Sequence, residues 1–263
     1  MAEITITNSQ GAIMRSNGGT PQAWDTAHDL TTAGYIDSAG NLSSTGMTIG
    51  AYYSGYGGGT YAIFRVFLDF DLSGITAGST INSAKLKLYG RTAASPHPSV
   101  TVVESDFIVL KGTFTDGSTL ATSMFDEFEG FQAGWDGTDS GIVEYSGEEA
   151  SSWSTSGYNE VTLNADCLSD IASRAGGSTR LAMVIMNHDH DYHDDPSGHD
   201  GNSLSFTYDR YVINFNFDPA ESNPPQLVVD YTEAAADPAP SPTRVIVNSG
   251  NLNINGGSLK VNK

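Results

Sequence analysis

Between Tyr61 and Gly90 the chain uses two kinds of apolar spacing in succession. Ile63, Phe64, Val66, Phe67, Leu68 and Phe70 form a dense β-branched and aromatic run. Such a run predicts a strand buried on both faces. Gly74, Gly78 and the Ser and Thr residues around them then break the pattern. Ile81, Ala84, Leu86 and Leu88 follow, and from Ala84 they alternate with Lys85 and Lys87. That alternation predicts a strand with one face inward and one in water. Two such strands cannot stand alone, so more sheet must cover them.

The same criterion places further strands at Glu3 to Thr7, with Ile4 and Ile6 inward, and at Met47 to Ala51. Others are predicted at Val100 to Glu104 and Phe107 to Lys111, around a Ser-Asp turn. Leu181 to Met186 is apolar throughout and predicts a central strand. Leu204 to Tyr208 and Tyr211 to Phe217 predict a hairpin, and Gln226 to Thr232 a closing strand. One short helix is predicted from Ala165 to Ala175. Asn164 is its N-cap, Leu168, Ile171 and Ala172 share a face, and Gly176 ends it. Cys167 lies near that face, as a small buried hydrophobe rather than a nucleophile. The predicted fold class is all-β, an antiparallel β-sandwich with one short helix.

Several of these residues also form a family pattern. Arg65, Phe67, Phe70, Asp71, Leu72 and Ser73, then Ala84, Leu86, Leu88 and Tyr89, resemble the hallmark strands of DNRLRE-type domains. Tyr158 to Leu163 with the helix after it, and Pro225 to Thr232, resemble the late strands of that family. The likeness extends roughly from Asp25 to Thr232. It implies a β-jelly-roll related to carbohydrate-binding modules, as found in secreted polysaccharide-active proteins and in bacteriophage structural proteins. The family pattern also implies that Asp71 and Ser73 cap a strand end.

Residues 113–156 fit that pattern least. Phe125, Phe128, Phe131, Trp135 and Trp153 stand there among Asp, Glu, Gly and Ser, which predicts an insertion folded over one end of the β-domain. Tyr52 to Tyr61, YYSGYGGGTY, reads as a Gly/Tyr loop. Tyr52, Tyr53 and Tyr56, with Trp135 and Trp153, are candidate glycan contacts, because sugar C–H faces pack on aromatic rings. The tyrosines suit a loop packed on the edge of the domain better.

Beyond the β-domain of residues 1–232, EAAADPAPSPT (233–243) is a Pro/Ala linker, extended and semi-rigid. Residues 244–263 then repeat every seven positions. Val245, Leu252 and Leu259 align, as do Val247, Ile254 and Val261. Each unit is a three-residue strand followed by an Asn/Gly/Ser turn, too short to bury its own apolar face. The repeat predicts a C-terminal β-arm that makes a homotrimer or docks on another virion protein. A tail with chance periodicity is the other reading.

Acidic residues outnumber basic ones by 31 to 12, for a formal net charge of −19. Such a charge repels phosphate backbones and argues against a nucleic-acid partner. No run is long enough to span a membrane as a helix. With Cys167 alone, no intrachain disulfide can form. MAEITITNSQ lacks the basic and apolar regions of a signal peptide, which predicts synthesis in the cytoplasm without secretion. An extracellular protein whose leader has been removed would look the same.

The densest set of potential ligands is NHDHDYHDDPSGHD, residues 187–200. Asp189, His190, Asp191, His193, Asp194, Asp195 and Asp200 are its candidate metal ligands, for Ca²⁺ ahead of Zn²⁺. It departs from the EF-hand pattern, with Asp194 where that loop needs Gly and Asp200 where it needs Glu. A solvated acidic loop is the alternative. No Gly-x-Ser-x-Gly, P-loop or His-Glu-x-x-His occurs, and no catalytic residue is named. The resulting expectation is a non-enzymatic bacteriophage virion protein, a capsid decoration or fibre, whose jelly-roll displays a glycan-binding surface. The alternative is a polysaccharide-binding module of a secreted protein.

Overall fold

The computed structural model describes residues 1–16, 26–27, 29–37, 50–54, 60–90, 107–114, 119–131, 141–147, 154, 156–177, 180–186, 216, 219–220 and 222–235. Among them are nine strands, all paired antiparallel, and one α-helix. The strands are β1 (Ala2–Arg15), β2 (Tyr35–Asp37), β3 (Gly50–Ser54), β4 (Thr60–Asp71) and β5 (Thr80–Tyr89). β6 (Ile108–Lys111), β7 (Tyr158–Thr162), β8 (Arg180–Met186) and β9 (Gln226–Thr232) complete them, and α1 is Ala165–Arg174.

These strands form one continuous, strongly curled sheet in the order β6-β8-β4-β1-β9-β5-β7, with β2 on β1 and β3 on β4. Two separate stacked sheets, as the sequence predicts, are therefore not what is seen. The physical reason lies in β1. Its first half, Ala2 to Thr7, pairs with β9, and its second half, from Asn8 to Arg15, pairs with β4. The register shifts between Asn8 and Gln10, and such a bulge bends a strand and raises its twist. One strand thus serves both halves of the sheet.

The main core lies inside the curl. Ile6, Leu86, Leu227 and Val229 from one half meet Val66, Leu68, Phe70 and Met183 from the other. α1 packs on β5 and β8 and adds Cys167 and Ile171 to this core. Asn164 caps it as predicted, accepting from the N–H groups of Asp166 and Cys167 at 3.1 and 3.2 Å. Gly176 follows at φ 71°, where a Cβ would come within 2.6 Å of Ala77. At the end of β4, Asp71 accepts from the Ser73 N–H at 2.9 Å, which agrees with the cap that the family pattern implies.

A second core explains why β4 and β8 are apolar on both faces. Ala12, Met14, Ile63, Phe67, Ile108, Leu110, Val184 and Met186 point away from the curl. They are covered by Phe114, Leu120, Phe125 and Phe128 of the predicted insertion. Phe114 to Phe128 of that insertion thus cover a sheet face, while its Tyr145 belongs to the core inside the curl.

Two strand expectations need adjusting. β1 runs on to Arg15, well past Thr7. Tyr52 and Tyr53 are on a strand, not in a loop, paired with Ala62 and Tyr61. β9, the expected closing strand, lies between β1 and β5. The strands expected at Val100 to Glu104, Leu204 to Tyr208 and Tyr211 to Phe217 fall outside the described residues, Asn216 excepted.

Candidate functional site

The half-sheet β1-β9-β5-β7 buries one face and turns the other to solvent. Strand alternation decides which residues share the outer face. Register places Glu3, Asp230 and Ser83 in one row, and Thr5, Val228, Lys85 and Thr162 in the next. Thr7, Gln226, Lys87 and Glu160 form a third row, and Tyr89 pairs with Tyr158 in a fourth.

A groove of about 200 Å³ opens on this face, lined by Glu3, Thr5, Ser83, Lys85, Lys87, Glu160, Val228 and Asp230. Glu160 bridges its two cations, at 2.8 Å to Lys85 Nζ and 3.3 Å to Lys87 Nζ. Lys85, and then Lys87, hold the Glu160 carboxyl below its ordinary range, and Glu160 holds Lys85 above its own. Lys87 Nζ also lies 5.4 Å from the centre of the Tyr158 ring.

Tyr158 and Tyr89 meet edge to face, with ring centres 5.3 Å apart. Their hydroxyls donate to backbone carbonyls, Tyr158 to Pro224 and Tyr89 to Ser156, each at 3.1 Å. Burial, and then the neighbouring Tyr89, push the Tyr158 phenol up. Both rings are thus fixed in place, while the groove beside them is rich in donors and acceptors.

Two other polar clusters are internal. Arg65 is fully buried on β4, and its guanidinium lies 4.1, 5.1 and 5.5 Å from the ring centres of Phe125, Phe128 and Phe131. It donates to the Phe125 carbonyl at 2.8 Å. On the helix side, the buried Tyr145 hydroxyl donates to Asp170. Lys111 lies 2.6 Å from Glu129 and 3.5 Å from Asp170, and Arg174 lies 3.8 Å from Asp170. Burial, and then Asp170, push the Cys167 thiol up, so it is not a poised thiolate. These groups join the insertion to the sheet and helix.

Of the residues singled out from sequence, Tyr52 and Tyr53 are placed by backbone alone, on β3. Tyr56, Trp135 and Trp153 lie outside the described residues. So do the candidate metal ligands Asp189, His190, Asp191, His193, Asp194, Asp195 and Asp200. The assembly positions Val245, Val247, Leu252, Ile254, Leu259 and Val261 lie outside them as well. Among the described residues, no group of three or more His, Cys, Asp or Glu side chains is arranged to hold a metal ion. No helix among them is long and apolar enough to cross a membrane.

The groove was not read from sequence. Its only signal was the Lys85/Lys87 alternation, which marks a solvent-facing strand and says nothing of the neighbouring strands. No protein-family model and no curated protein matches the chain.

Proposed function

We propose that this chain is a non-enzymatic bacteriophage virion protein, a capsid-decoration or fibre subunit that assembles as a homotrimer. Its body is the curled antiparallel sheet whose two halves share β1, and residues 244–263 are its assembly arm. The body displays a surface to glycans of the host or its surroundings. The observation that carries this reading is the tether. The linker toward the arm leaves from β9, which is hydrogen-bonded to β1 on one side and β5 on the other. Force on the arm therefore acts on a strand held along both edges, a suitable anchor for a protein that must stay attached. The seven-residue repeat beyond the linker supplies apolar positions that a single chain leaves uncovered.

Absolute mass from light scattering tests this on the full chain and on a chain ending at Thr232. The reading expects a trimer that becomes a monomer on truncation. Monomers in both cases overturn self-trimerisation. The second reading is a polysaccharide-binding module of a secreted protein. The groove beside the fixed Tyr89–Tyr158 pair favours it equally, since that face suits a glycan whatever the arm does.

A further inference from the structure

We propose that the groove between β1, β9, β5 and β7 is the saccharide site of this body and that it takes a neutral sugar ring in preference to a charged one. The inference rests on the reading of the body as a glycan-displaying domain and adds both the place and the ligand class.

The lining specifies the chemistry. Apolar lining normally predominates in small-molecule pockets, with a few polar groups for orientation. Here Val228 is the one apolar side chain, and Thr5, Ser83, two lysines and three carboxylates surround it. A sugar hydroxyl donates and accepts at once, so it needs both kinds of partner within one ring's reach. Lys85 and Lys87 supply donors, Glu3, Asp230 and Glu160 supply acceptors, and Thr5 and Ser83 supply both. The volume of about 200 Å³ suits a single ring rather than a longer oligomer segment. Tyr158 and Tyr89 extend the face past Lys87, where a neighbouring ring would lie.

Charge sets the preference for neutral sugars. Three carboxylates against two ammonium groups leave the groove negative, on a chain already at −19. Both lysines are engaged by Glu160. A uronate or sulfate would have to compete with that carboxylate for them and would face Glu3 and Asp230 as well. A hydroxyl can join the Lys85–Glu160–Lys87 set without displacing a charge.

Calorimetric titration of the full chain with neutral and anionic oligosaccharides tests the proposal. The neutral probes are β-1,4-glucan, β-1,3-glucan, α-1,4-glucan, mannan and galactan oligomers. The anionic probes are polygalacturonate and alginate oligomers. Ser83→Trp fills the groove from an exposed position and removes no charge. The proposal expects at least one neutral oligomer to bind, the anionic ones to bind at least tenfold more weakly, and Ser83→Trp to weaken the neutral ligand at least tenfold. Neutral binding untouched by Ser83→Trp would overturn the location and keep the glycan reading. Anionic oligomers binding more tightly, with that affinity lost in Lys85→Gln/Lys87→Gln, would overturn the ligand class alone. Binding of neither class would overturn the site and the glycan-display reading together.

Discussion

Arg65 donates to the carbonyl of Phe125, 60 residues further along the chain, at 2.8 Å, and its guanidinium lies 4.1 Å from that residue's ring centre. A strand residue and an insertion residue are thereby fastened by a charge-assisted hydrogen bond and a cation–π contact, both away from water.

Removing that guanidinium should be costly. A desolvated cation–π contact is worth about 2 kcal/mol, and a hydrogen bond from a charged donor about 1.5–3 kcal/mol. Arg65→Ala should therefore destabilise by roughly 3.5–5 kcal/mol in urea unfolding. Arg65→Lys keeps the charge but loses the planar stacking, and should fall between the two. Limited proteolysis should cut residues 119–131 first in Arg65→Ala. Equal resistance of variant and parent would refute the fastening role.

Acid should weaken the fold through two carboxyls and spare it through a third. Glu160, beside Lys85 and Lys87, and Asp71, accepting from Ser73, both have folded values below their ordinary 4.5 and 3.8. Their stabilisation is present above those ordinary values and is lost as pH falls through the lowered ones. Burial, and then Asp126, raise Glu127 above 4.5, so its effect has the opposite sign. It favours the fold at low pH and loses that contribution as pH rises. Urea midpoints between pH 2 and 6 should show a shallower acid limb in Glu160→Gln and Asp71→Asn, and a steeper one in Glu127→Gln.

Alkali acts through Tyr145. Burial, and then hydrogen bonding to Asp170, hold its phenol protonated well above its ordinary value of 10.0. The unfolded chain releases that proton above pH 10 while the folded chain keeps it, so stability falls as pH rises beyond that point. Lys111, raised above 10.5 by Glu129, adds a loss in the same direction. Tyr145→Phe should flatten the decline seen in unfolding between pH 9 and 11.5. An unchanged slope would remove Tyr145 as its source.

Asn164 holds two elements at once. Its Oδ1 caps α1, and its Nδ2 donates to the Glu144 carbonyl at 2.7 Å. Loss of an N-cap costs about 1 kcal/mol and up to about 2. Asn164→Ala should lower stability by that upper amount, because the second bond goes too. Asn164→Asp keeps the cap without the amide donor and should recover about half of the loss in urea midpoints.

Where composition and spacing reflect a residue's own surroundings, they were readable. Val66, Phe67, Leu68 and Phe70 are apolar on both sides because both sides are buried, and Asn164 followed by α1 is a local cap pattern. The strand predicted at Glu3 to Thr7 stops short because Asn8, Ser9, Gln10 and Gly11 carry no apolar alternation, yet they form the bend by which β1 changes partners. Tyr52 and Tyr53 look like loop residues beside so much Gly, yet β4 supplies the partner that makes them a strand. The groove is harder still. Glu3, Lys85, Glu160 and Asp230 come from four strands, and period-two spacing reports which face a residue takes, not which strand lies beside it.

The pairing of Ala2 with Tyr231 has a consequence during synthesis. The second half of β1 can find β4 as soon as Asp71 has left the ribosome, but the first half waits for β9. At about 5–20 residues per second that wait lasts roughly ten seconds or longer. Through it, Ile4 and Ile6 lack β9, the strand that pairs with their half of β1, a state open to mispairing between nascent chains. Yield of folded protein should therefore depend on translation speed and chaperone supply more than the stability of the finished fold would suggest.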